Sequence, residues 1–121
     1  MCLVSGGFRQ IIEPIAESLN IPLECVHANQ LLFAADGTYN GFDDSEFTSR
    51  SGGKADACKA LKAKFGFKTV VMVGDGATDL EARQPGGADI FICYGGVVMR
   101  ENVAASSDWV ITDIFNLVDA L

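Results

Sequence analysis

The sequence predicts an α/β fold with a mainly parallel sheet. Short apolar runs alternate along the chain with segments that have the one-face periodicity of an amphipathic helix. The most informative run covers residues 70–73 and stops at the turn Gly74-Asp75-Gly76. A continuous apolar run bounded by glycines indicates a strand buried on both faces, as in a parallel sheet.

The first half of the chain is predicted to contain two strands, a helix and a hairpin. Residues 2–4 predict a short strand, and residues 8–19 have their apolar side chains on one helical face. Residues 25–28 predict the next strand. Residues 29–42 predict a hairpin, because Asp36-Gly37 is a turn signal between two apolar segments.

The second half alternates strands and helices more regularly. Residues 43–53 are polar and predict a surface loop, and residues 54–65 predict an amphipathic helix. The remaining predictions are strands over residues 69–73, 88–94 and 109–111 and helices over about residues 78–83, 100–105 and 114–121. Strands that alternate with helices in this way favour βαβ connections and hence parallel pairing.

Composition bounds the class of protein. With 121 residues the chain is one domain at most, and 49% hydrophobic with 21% charged residues is typical of a globular protein. A formal net charge of -7 argues against binding to nucleic acid or to an anionic membrane surface. No apolar run approaches the roughly 20 residues that a membrane span needs, so we expect a soluble protein.

The cysteines and the histidine predict no metal or disulfide site. The four cysteines have no Cys-x-x-Cys spacing and lie mostly in apolar segments, which predicts buried reduced thiols. His27 is the single histidine, so we expect it to be structural.

Three glycine-flanked polar clusters are the candidate functional residues. They are Ser5-Gly6-Gly7, Gly52-Gly53-Lys54 and Gly74-Asp75-Gly76-Ala77-Thr78-Asp79. The first two are predicted to open helices, where unpaired backbone N–H groups can face an anion. Ser5 adds a hydroxyl, Lys54 a positive charge suited to phosphate, and Asp75 an oxygen ligand for Mg²⁺. Asp79 has two interpretations, a functional carboxylate or a helix cap.

Other phosphate-binding and hydrolase motifs do not match. A P-loop would need glycine at Thr48 and serine or threonine at Ala55, after Lys54. The dinucleotide fingerprint would need a glycine at Asp79. A serine hydrolase would need a histidine partner, and His27 is the single candidate.

With these residues in hand, the chain resembles the phosphoserine phosphatase family of the haloacid dehalogenase (HAD) superfamily, most closely its plant and algal members. The resemblance runs from the first residues to the last. It is carried by Leu3-Val4-Ser5-Gly6-Gly7-Phe8-Arg9, Ala28-Asn29, Gly41-Phe42-Asp43, Ser51-Gly52-Gly53-Lys54, Gly74-Asp75-Gly76-Ala77-Thr78-Asp79 and the segments 81–89 and 91–94.

The resemblance implies Mg²⁺-dependent hydrolysis of O-phospho-L-serine to L-serine and phosphate, the last step of serine biosynthesis, through an aspartyl-phosphate intermediate. It implies that Ser5-Gly6-Gly7 hydrogen-bonds the phosphoryl oxygens and that Lys54 neutralises their charge in the transition state. It also implies that Asp75 binds the metal, that Thr78 contacts substrate and that Asp79 holds Lys54 in place.

One departure from the family pattern is large. The family's first motif, Asp-x-Asp after an N-terminal strand, supplies the nucleophile and the general acid, and it is absent here. The neighbouring pair Asp43-Asp44 follows no buried strand. The helical cap that recognises the serine end of the substrate is absent too. The resemblance therefore implies a partial, Rossmann-like HAD core over residues 1–121, the C-terminal portion of such an enzyme.

The absence of the first motif predicts unpaired edges in the sheet, and three hypotheses for the function of the chain remain. In the superfamily the nucleophile strand lies between the strand ending at Ser5 and the strand ending at Asp75, so its removal leaves two sheet pieces with unpaired edges. The chain is then part of a phosphatase that is inactive alone, a non-catalytic phosphate- and Mg²⁺-binding module that forms a homodimer, or another phosphatase of the superfamily. Substrate choice rests on the resemblance alone, and we expect a cytoplasmic or plastid-stroma location.

Overall fold

The computed structural model describes all residues from Met1 to Leu121 and confirms the α/β class with parallel sheets. The chain divides into two compact units, Met1–Ala57 and Cys58–Leu121. Its strands form three separate sheets, of which two are parallel and one is an antiparallel hairpin. The extent of one partial domain over residues 1–121 stays a prediction.

The first unit begins with a parallel strand pair connected by a helix. Strand β1 (Leu3–Phe8) leads directly into helix α1 (Arg9–Ser18), and β2 (Val26–Asn29) returns parallel to β1. A short 3₁₀ helix (Leu23–Cys25) precedes β2. Ala16, Val26 and Ala28 are almost fully buried, so the small core of this unit lies between α1 and the strands.

The predicted hairpin is confirmed. It consists of β3 (Leu31–Phe33) and β4 (Tyr39–Phe42), which pair antiparallel. The Asp36 carboxylate accepts hydrogen bonds from the backbone N–H and the hydroxyl of Thr38, which closes the turn. The loop that follows contains a 3₁₀ helix (Phe47–Ser49) and leads into α2 (Gly53–Phe65), which continues into the second unit.

The second unit contains a three-stranded parallel sheet. Its strands β5 (Val71–Gly74), β6 (Ile90–Tyr94) and β7 (Trp109–Ile111) pair in the order β5-β6-β7. The helices that follow these strands are α3 (Ala77–Leu80), α4 (Glu101–Ala105) and α5 (Phe115–Ala120). The predicted helix near residues 78–83 is therefore shorter than expected, and it begins one residue earlier.

The burial predicted for β5 is wrong. Met72 is buried, but Val71 and Val73 are 45% and 36% exposed. Strand β5 lies at an edge of its sheet, so its exposed face lacks the cover that a central parallel strand has on both sides. Strand β6, in the middle of the sheet, matches the prediction better, because Phe91 and Cys93 are fully buried.

The burial predicted for the cysteines is confirmed for three of the four. All four are free thiols, and Cys25, Cys58 and Cys93 are buried. Burial raises the pKa of the Cys58 and Cys93 thiols, which favours their protonated form. None of the helices combines the length and the apolar character that crossing a membrane would require.

Candidate functional site

The Ser5-Gly6-Gly7 segment lies in a bulge of β1. Its flanking residues pair with β2 as Val4↔His27 and Phe8↔Asn29, so three residues of β1 face the single residue Ala28. The prediction that this segment is a turn opening a helix is wrong, because the strand continues to Phe8 before α1 begins. A bulge takes peptide groups out of the ladder and re-aims them, and bulges are common next to active sites.

Hydrogen bonds fix this bulge from both sides. The backbone N–H of Gly7 donates to the Ser5 hydroxyl oxygen over 3.0 Å. The Asn29 side-chain amide donates to the Gly6 carbonyl over 2.9 Å, and the Thr48 hydroxyl donates to Asn29 Oδ1 over 2.9 Å. The segment that sequence analysis selected for phosphate binding is thus held in one conformation.

Arg9 joins the end of β1 to two other parts of the first unit. Its guanidinium donates to Glu46 over 2.5 Å, to Glu13 over 3.1 Å and to the Val26 carbonyl over 2.9 Å. The hydrogen bond to Glu46 is the main cause that raises the pKa of Arg9. These contacts anchor the loop that leads from the hairpin towards α2.

Lys54 is the second residue of α2, so the prediction that Gly52-Gly53-Lys54 opens a helix is confirmed. Gly53 is required there, since any Cβ at this position would collide with the Phe47 carbonyl. The close approach of the two backbone segments is possible only for glycine. Lys54 is half-buried, at the end of the helix where backbone N–H groups have no helical partner.

Asp75 follows β5 directly, at the carboxyl end of a parallel strand. Its side chain is 53% exposed, and Oδ2 accepts a charged hydrogen bond from Arg100. The same guanidinium nitrogen donates to the Asp75 carbonyl over 3.1 Å. The carboxylate that sequence analysis assigned to a metal is therefore paired with an arginine in this structure.

Asp79 is a buried carboxylate in the first turn of α3, with 7% of its surface exposed. Its Oδ2 accepts the Gly76 backbone N–H over 3.0 Å, which is the capping interpretation considered from sequence. A side chain at Gly74 would collide with this carboxylate. Thr78 is exposed in the same turn, and its contact with substrate stays a prediction, as does the action of Asp79 on Lys54.

An open cavity of about 370 Å³ lies beside Asp75 in the second unit. Asp75 is the one charged residue that lines it. The other lining residues are Val73, Gly74, Tyr94, Val97, Val98 and Ile114. The carboxyl end of β5 therefore presents a single carboxylate next to an apolar surface.

The aspartate pair that sequence analysis compared with the missing motif is held in a turn. Asp43 lies just after the antiparallel strand β4, and its Oδ1 accepts hydrogen bonds from the hydroxyl and the backbone N–H of Ser45. These bonds lower the pKa of Asp43, with the hydroxyl contact as the main cause. Asp43 thus has the geometry of a turn residue and not of a nucleophile at the end of a parallel strand.

The residues around Asp75 fit a magnesium site in which the protein supplies few of the ligands. Mg²⁺ is commonly held by one or two carboxylates, with waters and substrate phosphates completing an octahedron. Asp75 supplies one exposed carboxylate, while the Asp79 carboxylate is engaged by Gly76. No group of three or more His, Cys, Asp or Glu side chains in residues 1–121 forms a fuller cage.

The structure distributes the candidate residues over its two units. Ser5-Gly6-Gly7 and Lys54 belong to the first unit, and Asp75, Thr78 and Asp79 belong to the second. Within the second unit the Gly-Asp-Gly turn brings the three residues into one loop and helical turn.

The sequence alone predicted no role for Arg9, Asn29, Thr48 or Arg100. Ala28-Asn29 and Arg9 are among the residues that carry the family resemblance, and this was the available signal for two of them. Arg100 lies 25 positions from Asp75, and no spacing rule links the two. Their pairing is visible only once β5 and the segment before α4 are placed.

Comparisons with known proteins identify the relatives. No family model matches the chain. The chain is 56% identical over 119 residues to the chloroplastic phosphoserine phosphatase of Arabidopsis thaliana, a match that covers 98% of this chain and 40% of the relative. It is 53% identical over 119 residues to the phosphoserine phosphatase of Bos taurus, covering 98% of this chain and 52% of the relative. The chain thus spans about half the length of these curated relatives.

The fold has a close counterpart among solved structures. A phosphoserine phosphohydrolase-like protein from Francisella tularensis superposes with a TM-score of 0.85 at 30% sequence identity, covering 99% of this chain and 54% of that one. The resemblance to phosphoserine phosphatases of the HAD type that the sequence predicts is confirmed, and the chain is their homologue over nearly its whole length.

Proposed function

We propose that this chain is the part of a phosphoserine phosphatase that holds and neutralises the phosphoryl group of O-phospho-L-serine. The observation that carries the proposal is the 56% identity to a phosphoserine phosphatase over 98% of the chain. The positions of the candidate residues support it, because they lie in a strand bulge, at a helix start and at the carboxyl end of a parallel strand.

The first unit supplies the phosphate contacts in this proposal. The Ser5 hydroxyl and the Gly6 backbone N–H hydrogen-bond the phosphoryl oxygens, and the Gly7 N–H donates to the Ser5 oxygen. Lys54 neutralises the charge on these oxygens as the phosphoryl group is transferred. Preorganised electrostatic contacts of this kind usually do more than any other effect to lower the barrier of phosphoryl transfer.

Asp75 is the metal ligand in this proposal. Mg²⁺, when bound, would offset the negative charge of the phosphoryl oxygens and fix their orientation. Because the Arg100 guanidinium binds Asp75 Oδ2, it opposes the binding of a cation to this carboxylate. Thr78, exposed in the next turn, is the proposed substrate contact of the second unit.

We place the nucleophilic carboxylate and the general acid outside residues 1–121. Asp43 is bound within its own turn, and Asp56, Asp89 and Asp108 are paired with Arg50, Lys62 and Arg83. Strand β5 has a free edge with an exposed apolar face and a cavity beside Asp75. An additional strand at this edge would bring a carboxylate to the same end of the sheet as Asp75. By itself, therefore, the chain is expected to be inactive.

A graft tests this proposal. The 119 matched residues of the Arabidopsis relative are replaced by those of this chain, and phosphate release from O-phospho-L-serine is measured with Mg²⁺. We expect turnover by the graft and preference for O-phospho-L-serine over p-nitrophenyl phosphate. A graft that folds cooperatively but hydrolyses no phosphoserine would contradict the proposal. Because that relative is named chloroplastic, the plastid stroma is the proposed location.

A further inference from the structure

Asn29 and Thr48 belong to a continuous series of hydrogen bonds in the first unit. The Thr48 hydroxyl donates to Asn29 Oδ1, the Asn29 amide nitrogen donates to the Gly6 carbonyl, and the Gly7 N–H donates to the Ser5 hydroxyl oxygen. All three distances are 2.9 to 3.0 Å. The series connects the loop before α2 to the residue that sequence analysis selected for phosphate binding.

The geometry of one peptide group links the two ends of this series. The Gly6 carbonyl and the Gly7 N–H belong to the same planar, trans peptide unit, so they point in opposite directions. A hydrogen bond that fixes the Gly6 carbonyl therefore also fixes the direction of the Gly7 N–H. Glycines have no side chain to restrain this peptide plane, so the restraint has to come from a neighbour.

The direction of each hydrogen bond is determined by the groups involved. A carbonyl oxygen can only accept, so Asn29 must present its NH₂ group to Gly6 and its oxygen to Thr48. The Ser5 oxygen accepts from Gly7, and the one proton of its hydroxyl then remains available for a donor bond. Hydrogen bonds in series polarise one another, which strengthens the last donor of the series.

We propose that Asn29, oriented by Thr48, is the positioning residue of the phosphate site: it locks the Gly6–Gly7 peptide so that the Ser5 hydroxyl is aimed as a donor at a phosphoryl oxygen. This inference rests on the proposed function and adds two residues to it. It also gives the strand bulge a role, because the β1–β2 register leaves Gly6 without a paired residue and the Asn29 side chain bonds its carbonyl instead.

The test uses the 121-residue chain with inorganic phosphate as the probe, followed by ¹H–¹⁵N NMR at the Gly6 and Gly7 amides. The variant Thr48→Val keeps the shape of the side chain and removes its hydroxyl, and Thr48→Ser restores the hydroxyl. Asn29→Ala removes the whole anchor. The matched control is Thr38→Val, whose hydroxyl bonds Asp36 in the hairpin turn of the same unit.

We expect phosphate to shift the Gly6 and Gly7 amides in the unaltered chain, in Thr48→Ser and in Thr38→Val. Thr48→Val should weaken phosphate binding about three- to tenfold, the effect of losing one hydrogen bond, and Asn29→Ala should weaken it at least as much. Thermal unfolding of each variant is measured in parallel. A purely structural role predicts a lower Tm with unchanged phosphate affinity of the folded protein, and that result would overturn the proposal.

Two further outcomes separate this inference from the proposed function. If Lys54→Ala loses phosphate binding while Thr48→Val and Asn29→Ala retain it, the positioning role is wrong and the phosphate site stands. If phosphate leaves the Gly6 and Gly7 amides of the unaltered chain unshifted, the positioning role is also wrong. The graft assay then decides independently whether the chain serves a phosphatase.

Discussion

Substitution of Lys54 tests whether its charge acts on substrate binding or on the chemical step. Lys54 lies at the start of α2, where its ammonium group and the positive end of the helix dipole carry charge of the same sign. In the proposed site this charge meets the phosphoryl oxygens, which become more negative as the leaving group departs. The contribution of Lys54 should therefore be larger in the transition state than in the bound substrate.

We predict that Lys54→Ala in the graft lowers kcat for O-phospho-L-serine by about 10²-fold or more, by analogy with the removal of one oxyanion donor. The measurement is steady-state phosphate release, with KM determined separately. Lys59→Ala, which removes an exposed lysine from the same helix, is the matched control and should leave kcat unchanged. Near-normal turnover in Lys54→Ala would show that Lys54 has no part in the chemical step.

In the proposed function, Arg100 and a divalent cation compete for the Asp75 carboxylate. We predict that the 121-residue chain binds Mg²⁺ more weakly than micromolar and that Arg100→Met tightens binding about 1.5- to 5-fold, since the ion pair to Asp75 is exposed. Isothermal titration with MgCl₂ measures both constants, and Asp75→Asn should abolish the binding heat. Unchanged or weaker binding in Arg100→Met would show that the ion pair does not oppose the cation.

At the scale of elements, the sequence predicted the number, type and order of strands and helices, but less about how the strands behave. The run Val70–Val73 predicts a strand from composition alone, and β5 is there. Its partial exposure could not be predicted, because apolar letters do not say whether a strand is central or at an edge. The bulge in β1 was missed because glycines predict turns equally well.

The residues of the candidate site could also be predicted from the sequence only in part. Residues whose chemistry is evident in their own motif, such as Asp75 and Lys54, could be selected from sequence. Asn29, Thr48 and Arg100 could not, because their respective partners Gly6, Asn29 and Asp75 are distant in the chain. Side-chain hydrogen bonds of this kind depend on how elements pack, and no local spacing encodes them.

Asp108 connects the elements of the second unit and makes their stability depend on pH. Its carboxylate accepts the Phe91 N–H of β6 over 2.8 Å and binds Arg83 over 2.5 and 2.6 Å. The backbone hydrogen bond from Phe91, followed by the contact with Arg83, lowers the pKa of Asp108 from its ordinary value of 3.8. A lowered pKa in the folded state adds stability above the unfolded value, and this stability is lost as the pH falls through the folded value.

We therefore predict that Asp108→Asn lowers the free energy of unfolding at pH 7, and that its difference from the unaltered chain shrinks as the pH falls below about 4. Urea unfolding at a series of pH values measures this. The matched control is Asp119→Asn, which changes an exposed carboxylate in α5 and should show a much smaller effect. A difference that stays constant from pH 7 to pH 2 would mean that the interaction does not depend on the charge of Asp108.

At the scale of the whole molecule, the strands form sheets that are not hydrogen-bonded to one another. The parallel pair β1–β2 and the sheet β5-β6-β7 are separate, so each has edges whose backbone groups are unpaired within the chain. Such edges favour pairing with another polypeptide, and Val71 and Val73 add exposed apolar surface at one of them. A homodimer formed through these edges, the alternative considered from sequence, stays a prediction that size-exclusion chromatography can check.

The proposed function divides the catalytic groups between this chain and a segment outside residues 1–121. In the proposed function this chain supplies the phosphate contacts, one carboxylate for the metal and the lysine that offsets charge, and the nucleophilic carboxylate comes from outside residues 1–121. We therefore propose that the chain forms about half of a phosphoserine phosphatase, with the phosphate contacts but without the nucleophile.

The decisive experiment is phosphate release from O-phospho-L-serine with Mg²⁺, measured side by side for the 121-residue chain and for the graft into the Arabidopsis relative. We predict release by the graft and none by the chain alone, in which Asp43 is held in its turn by Ser45. Turnover by the chain alone would contradict the proposal, because another residue of these 121 would then have to be the nucleophile.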